Sequence, residues 1–339
     1  MSRIIRKSVF SFAAGSLLLV ALLINGGGLN AQLFQPVNDD AFGVPVAFNP
    51  DSVKAQRISE ITSHFQYKPD GKTIQDKGLM EHFRFDKEGR VVFYWRTRVK
   101  GMEPKAIEHG PVYRKGKKIK DSWTEYKYSY SYDTLFIYSY YDSLSRLSTR
   151  RMCEGVYYHA WYYTYDNDGY VLSQIHCRET NLGSSHRDFR LGAQTEISRE
   201  DFRYEKYSSR SVKKLSVNDE GKSYKETMLY LDDLGRVVET REAFMAGGIR
   251  ITCGYEYDSL GRFLSCTYSS NAGEPVNELT QYKYDSLGRI ESIRKFRNAV
   301  LKDEFSYLYE GNAKVSYAYI NRRHIDQGID IVKMDVIRY

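Results

Sequence analysis

The side chains able to do chemistry are few and scattered. Seven histidines (His64, His82, His109, His159, His176, His186 and His324) are spread along the chain with no HExxH and no pair four residues apart. No GxSxG elbow, Walker loop or GxGxxG is present. Ser185, His186 and Asp188 form a local polar trio, but a triad is defined by geometry across a fold, so the trio reads as loop polarity. Asp166-Asn-Asp168-Gly169 opens like a calcium loop and then lacks the remaining ligands and the closing Glu. The four cysteines include no CxxC, so zinc has no ligand set. Nothing supports a pair of carboxylates set for glycoside hydrolysis. These patterns predict no catalytic residue, no metal ligand and no cofactor site, and a chain that is not an enzyme.

The elements that would hold such residues are announced by composition. With 339 residues, 42% of them apolar, the chain can bury a real core. A mean hydropathy of -0.56 with 27% charged residues excludes a multispanning helical membrane protein. Disorder needs few aromatics, and here 14% are aromatic, with 30 Tyr against 16 Phe. Tyrosine has an apolar body and a wet tip, which suits half-exposed strands.

The N-terminus carries Arg3, Arg6 and Lys7, then an apolar stretch from Val9 to Ile24, then a small residue at Ala31. A positive segment, a short apolar run and a small-residue site describe a secretory signal over 1–31; the run falls short of the ~20 residues that a spanning helix needs. Without those three basic residues the chain holds 47 Lys+Arg against 43 acids, a net charge of +4, which removes the case for a nucleic-acid partner. Pro36, Pro45 and Pro50 mark 32–56 as an extended lead-in, leaving 57–339 as one folded domain with no membrane span after the signal.

That domain is repetitive. Tyr255-Glu-Tyr257-Asp258-Ser-Leu-Gly261-Arg262 is followed by Tyr282-Lys-Tyr284-Asp285-Ser-Leu-Gly288-Arg289. Leu229-Tyr-Leu231-Asp232-Asp-Leu-Gly235-Arg236 precedes them, and Tyr307-Leu-Tyr309-Glu310-Gly-Asn-Ala313-Lys314 comes after. The acidic position recurs at 232, 258, 285 and 310, spacings of 26, 27 and 25. Earlier copies centre on Asp86 with Gly89, Asp142 with Ser145, and Asp166 with Gly169; weaker echoes lie at 67–72 and 217–222. In each unit the alternating aromatics put side chains on one face of a strand, Asp and Gly make the turn, and a second strand returns. A hairpin per ~25 residues predicts an all-β fold: an antiparallel meander of repeated hairpins in one domain. Tyrosines at matching positions would form ladders along it. Arg at the start of each returning strand is expected to make an exposed ion pair with the turn Asp.

The set of copies resembles the YD repeats of the RHS and teneurin families over residues ~60–320. That resemblance implies a curved or coiled sheet and an extracellular or envelope setting. It does not imply toxin delivery, since the Asp-Pro cleavage signal of RHS toxins is missing and 25 residues follow Lys314. The resemblance leaves both an open and a closed sheet available to a shell this short.

Two stretches break the period. Residues 100–124 include the basic run Arg114-Lys115-Gly-Lys117-Lys118-Ile-Lys120, which reads as a hairpin tip with solvated lysines or a site for an acidic polymer; 178–200 reads as a long loop or short helix. Cys153 and Cys177 each lie 11 residues after their Asp, hence on possibly adjoining strands, while Cys253 and Cys266 flank one turn symmetrically. The repeat frame therefore predicts disulfides Cys153–Cys177 and Cys253–Cys266, with four buried thiols as the alternative.

The leading functional expectation is an exported, non-enzymatic binding or scaffold protein meeting an envelope protein or glycan through a Tyr-rich surface. Its candidate residues are Tyr255, Tyr282, Tyr284, Arg114, Lys117 and Lys118. The alternative is an outer-membrane β-barrel, against which stand Lys333 and Asp335 on the same face as Ile337 and Tyr339. An envelope hydrolase has no motif behind it.

Overall fold

The computed structural model describes residues 34–35, 47–154, 157–311, 316–323 and 328–339; the expected signal lies outside them. A short ribbon of β1 (Phe34–Gln35) and β2 (Ala47–Phe48) leads to α1 (Pro50–Ala55). Then come β3 (Ile58–Lys68), β4 (Gln75–Phe85), β5 (Val91–His109), β6 (Val112–Arg114), β7 (Lys117–Lys120), β8 (Trp123–Tyr141), β9 (Leu147–Glu154), β10 (Tyr157–Tyr165), β11 (Val171–Asn181) and β12 (Leu191–Ser208). The series continues with β13 (Ser211–Val217), β14 (Ser223–Leu231), β15 (Val237–Phe244), β16 (Arg250–Tyr257), β17 (Phe263–Ser270), β18 (Val276–Tyr284), β19 (Ile290–Arg297), β20 (Val300–Leu308), β21 (Ala318–Arg323) and β22 (Ile329–Arg338). Residues 178–200, expected as a loop or helix, are mostly strand, with 182–190 as the connection.

All but β1, β2, β6 and β7 belong to one antiparallel meander, and it closes: β22 pairs with β3 from Ile329↔Lys68 to Arg338↔Ile58, completing an 18-strand barrel. The all-β meander is present; in place of a curved or coiled YD-repeat sheet it forms a closed barrel, which settles the closure that the sequence leaves open. Closure gives the wall an inside and an outside, and alternation along each strand assigns every side chain to one or the other.

The inside is filled. Phe83, Tyr94 and Ile137 stand side by side on β4, β5 and β8, sealed from water with Ile61 and Met334. A second cluster runs from Leu147 on β9 to Phe263 on β17, and Trp161 packs against both. Inward side chains without solvent mean that this level of the lumen holds no water channel. At the end where the Asp turns lie, α1 adds a stopper. Asn49 caps it, its Oδ1 accepting from the Asp51 and Ser52 amides at 3.0 and 3.4 Å, and Pro50 opens the helix. Phe48 meets Phe83 and Phe85 with ring centroids 4.8 and 4.9 Å apart, and Val53 is wholly buried. The extended lead-in expected for 32–56 is therefore corrected at 50–55. Its proline starts a helix rather than only barring a sheet.

Candidate functional site

Each Asp turn is a closed hydrogen-bonded unit. Asp258 Oδ1 accepts from the Leu260 and Arg262 amides at 2.9 and 2.8 Å, and its Oδ2 accepts from Arg262 Nε at 2.7 Å. Gly261 takes φ +81°, and a Cβ there would stand 3.3 Å from Arg236 of the preceding unit. The Arg262 guanidinium lies 4.4 Å over the ring of Tyr284, whose hydroxyl donates to the Phe263 carbonyl at 2.8 Å. Thus every turn is tied to the next hairpin as well as to itself. Asp86–Arg90 repeats this with Tyr141, Asp142–Arg146 with Tyr165, Asp232–Arg236 with Tyr257, and Asp285–Arg289 with Tyr309. At Asp166 the arginine is replaced by Tyr170, which packs on Tyr204 at 4.7 Å. Gly89, Gly169, Gly235 and Gly288 hold the same left-handed place as Gly261. The ion pairs expected as exposed are largely shielded, because the arginine is sandwiched between its Asp and the neighbouring ring. Burial opposes ionisation of Asp142, Asp232, Asp258 and Asp285, but the amide and guanidinium of the partner arginine outweigh it and hold these carboxyls below their usual range. The echoes at 67–72 and 217–222 fall at the opposite end of the barrel.

This geometry corrects the tyrosine surface. Tyr255 is 5% exposed inside the barrel, Tyr282 packs against the same apolar cluster, and Tyr284 is fixed by Arg262. The ladder lies on the concave side, and closure removes that side from solvent. The disulfides are corrected as well, since none of the four cysteines is in a disulfide. Cys153 on β9 opposes Tyr158, and Cys177 on β11 opposes Ala160, so β10 stands between them. Equivalent positions in two-strand units are two strands, ~10 Å, apart, beyond the ~7 Å reach of a disulfide. Cys253 opposes Tyr268 and Cys266 opposes Tyr255, two residues from the expected pairing: the turn pairs Asp258 with Arg262, which shifts the register by one, and a bulge at Glu256/Tyr257 shifts it by one more.

The most exposed aromatic and basic surface is an arm. β5 loses β4 beyond Glu81↔Arg96 and β8 gains β9 only from Phe136↔Cys153, yet β5 and β8 stay paired out to His109↔Trp123. They project past the rim as a two-stranded ribbon with β6 and β7 beyond it, turning through Lys115 and Gly116 at φ 49° and 74°. Arg114, Lys117 and Lys118 are exposed there, with Lys118 paired to Asp121 at 2.5 Å. The tip from 113 to 121 holds Arg114, Lys115, Lys117, Lys118 and Lys120 against the single acid Asp121. Met102 opposes Tyr130 and Ala106 opposes Tyr126, giving an open face on which Met102, Tyr126 and Tyr130 are 54%, 59% and 50% exposed. Toward the tip Trp123 stacks on His109 at 4.7 Å with Lys120 Nζ 3.3 Å from its ring centre. Sequence reasoning missed Met102, Tyr126, Tyr130 and Tyr132. Their signal was a Tyr-x-Tyr alternation with no Asp-x-x-Gly turn after it.

The outer wall itself is charged. Lys213–Glu226 crosses β13 to β14 at 2.8 Å, Lys283–Glu291 crosses β18 to β19 at 3.0 Å, Arg294–Glu304 crosses β19 to β20 at 2.8 Å, and His64–Asp335 joins β3 to β22 at 3.0 Å.

No family model matches the chain, and no curated protein matches it. Among solved structures it is similar to a porin-like protein from Bacteroides uniformis, at 8% identity and a TM-score of 0.35 over 83% of this chain and 98% of that one. A porin-like protein from Bacteroides vulgatus gives 8% identity and a TM-score of 0.25 over 59% and 93%. The Photorhabdus luminescens Tc holotoxin pore gives 11% and 0.22 over 76% of this chain and 15% of that one. Scores of this size carry no argument about fold or function.

Proposed function

We propose that this chain is an exported, non-enzymatic β-barrel that works in water as a binding scaffold, and that its arm takes an anionic envelope glycan. The observation that carries this reading is the segregation of tyrosine. The hairpin tyrosines are used up inside the barrel, while the arm leaves Tyr126, Tyr130 and a basic tip in solvent. Tyrosine faces suit sugar rings and the lysines suit carboxylate or sulfate groups. The resemblance of the hairpin frame to YD repeats supports the extracellular setting and the glycan class. The test is retention on immobilised polygalacturonate with dextran as the neutral control. The Arg114→Ser/Lys117→Ser/Lys118→Ser variant is expected to bind at least tenfold more weakly, and binding by the parent to fall with salt. Equal retention of parent and variant would sink the proposal.

A second reading, the outer-membrane barrel, is supported by closure of an even number of antiparallel strands with short turns at one end. It must place the wall ion pairs against lipid, where each charge costs about 2–4 kcal/mol at the midplane, and it must account for a lumen filled with aromatics. Release from membranes by carbonate favours the water-soluble barrel; release by detergent alone favours the membrane one.

A further inference from the structure

On the inner wall of β13, β14 and β15, just below the rim away from the Asp turns, lies a polar group of residues that the repeat does not use. Lys214 opposes Thr227, and Thr227 opposes Glu242. Lys225 shares their inward face, opposite Ser216, close to where β14 begins at Ser223. The face is inward because Leu229, next along it, belongs to the apolar interior. Lys214 and Lys225 are 4% and 3% exposed, and Glu242 is buried.

Neither ammonium has a hydrogen-bond or ion-pair acceptor within bonding distance among the described residues; Glu200 and Glu242 act on them only at longer range, and each has a ring nearby. Lys214 Nζ lies 3.7 Å from the Phe202 ring centre and Lys225 Nζ 5.6 Å from that of Phe244. Thr227 Oγ1 is buried with no hydrogen-bond partner. Glu200, an acid within electrostatic reach, accepts from the Tyr224 hydroxyl. Burial and the neighbouring Lys225 bring the Lys214 amine down to about 8, and burial pushes the Glu242 carboxyl up. Two buried ammoniums and an orphan hydroxyl are unfavourable unless something accepts from them. The same groups on the outside show the contrast, since Lys213 points out and pairs with Glu226.

We propose that Lys214, Lys225 and Thr227 form a binding site for a small oxyanion of the phosphate or sulfate class, entered from the rim between the turns at 218–222 and 245–249. Two ammoniums and a hydroxyl supply donors from two strands to a tetrahedral group. Glu242, opposite Thr227 on β15, closes the far side; burial pushes its carboxyl up while Lys225 and Lys214 pull it down.

The test is calorimetric titration of inorganic phosphate, and separately of sulfate, into the purified chain in a chloride buffer at constant ionic strength. Saturable one-to-one binding is expected, together with a rise in Tm that saturates at the same anion concentration. Lys214→Met and Lys225→Met should weaken it at least tenfold, while Lys213→Met stays within twofold of the parent. Thr227→Val keeps the side-chain shape and removes the hydroxyl. It should fold with an unchanged melting curve in anion-free buffer and bind several-fold more weakly, so the proposal does not depend on a lysine variant folding. Absence of saturable binding by the parent, or full binding by Lys214→Met or Thr227→Val, overturns the site.

Discussion

The barrel and the arm are built from the same alternation of tyrosine along β-strands, and they put it to opposite uses. In the barrel, Tyr284 buries its ring under Arg262 and satisfies its hydroxyl on the Phe263 carbonyl. On the arm, Tyr130 opposes Met102 with half its surface in water. The difference is set by the residues just after the tyrosine. Where they are Asp-x-x-Gly-Arg, the turn supplies an arginine lid and the hairpin joins the closed wall. Where they are not, as along the arm from Tyr126 to Tyr130, the strand runs on past its neighbours and leaves the Tyr126 and Tyr130 rings largely in solvent. Residue type alone therefore does not say which tyrosines stay in solvent.

The contrast is most exposed to test at Tyr255. Tyr255→Ala should cost about 3–5 kcal/mol, as for other buried aromatics, measured by urea unfolding. A loss as small as that of an arm substitution would mean that the interior is looser than its burial indicates. Acid comes next. The turn aspartates have folded pKa values below their unfolded ones, so the stability they add is complete above the unfolded value of about 3.9 and is lost as pH falls through the folded values. Unfolding followed by tyrosine fluorescence should therefore set in below about pH 4, and Asp258→Asn should reduce stability at pH 7 and flatten that acid limb. An unchanged limb would show that the carboxylates do not hold the turns. Tyr284→Phe isolates one hydroxyl and should cost about 1 kcal/mol in the same denaturation experiment. The smallest effect is expected on the arm, where Tyr130→Ala should stay within about 0.5 kcal/mol of the parent while retention on polygalacturonate falls.

Much of the fold is legible in the residues themselves. The hairpin period, the turn residues from Asp86 to Gly288 and the antiparallel order all derive from local rules about Asp, Gly and alternation. The failures are non-local. Tyr255 and Tyr282 read as a surface because nothing in one hairpin says that the last strand will meet the first. The cysteine pairs are misplaced by an intervening strand and by the register of a turn with its bulge, all properties of pairing rather than of composition. The arm is hidden because 100–124 contains Pro104 and Pro111, which read as breaks, although the ribbon has no outer neighbours there to need their missing N–H groups. Lys214 and Lys225 give no signal because burial of a lysine leaves no trace in its sequence neighbours.

The seam between β3 and β22 has a kinetic consequence. Ser59 donates to the carbonyl of Ile337, 278 residues further along the chain. The strand that seals the wall is thus synthesised long after β3, and until it arrives β3 presents a free edge to any passing strand. Closing so long a loop makes this contact slow to form. A nascent chain must live for a time as an open sheet with its aromatic face uncovered, and a chaperone that shields that face would act on the step between the first hairpin and the last.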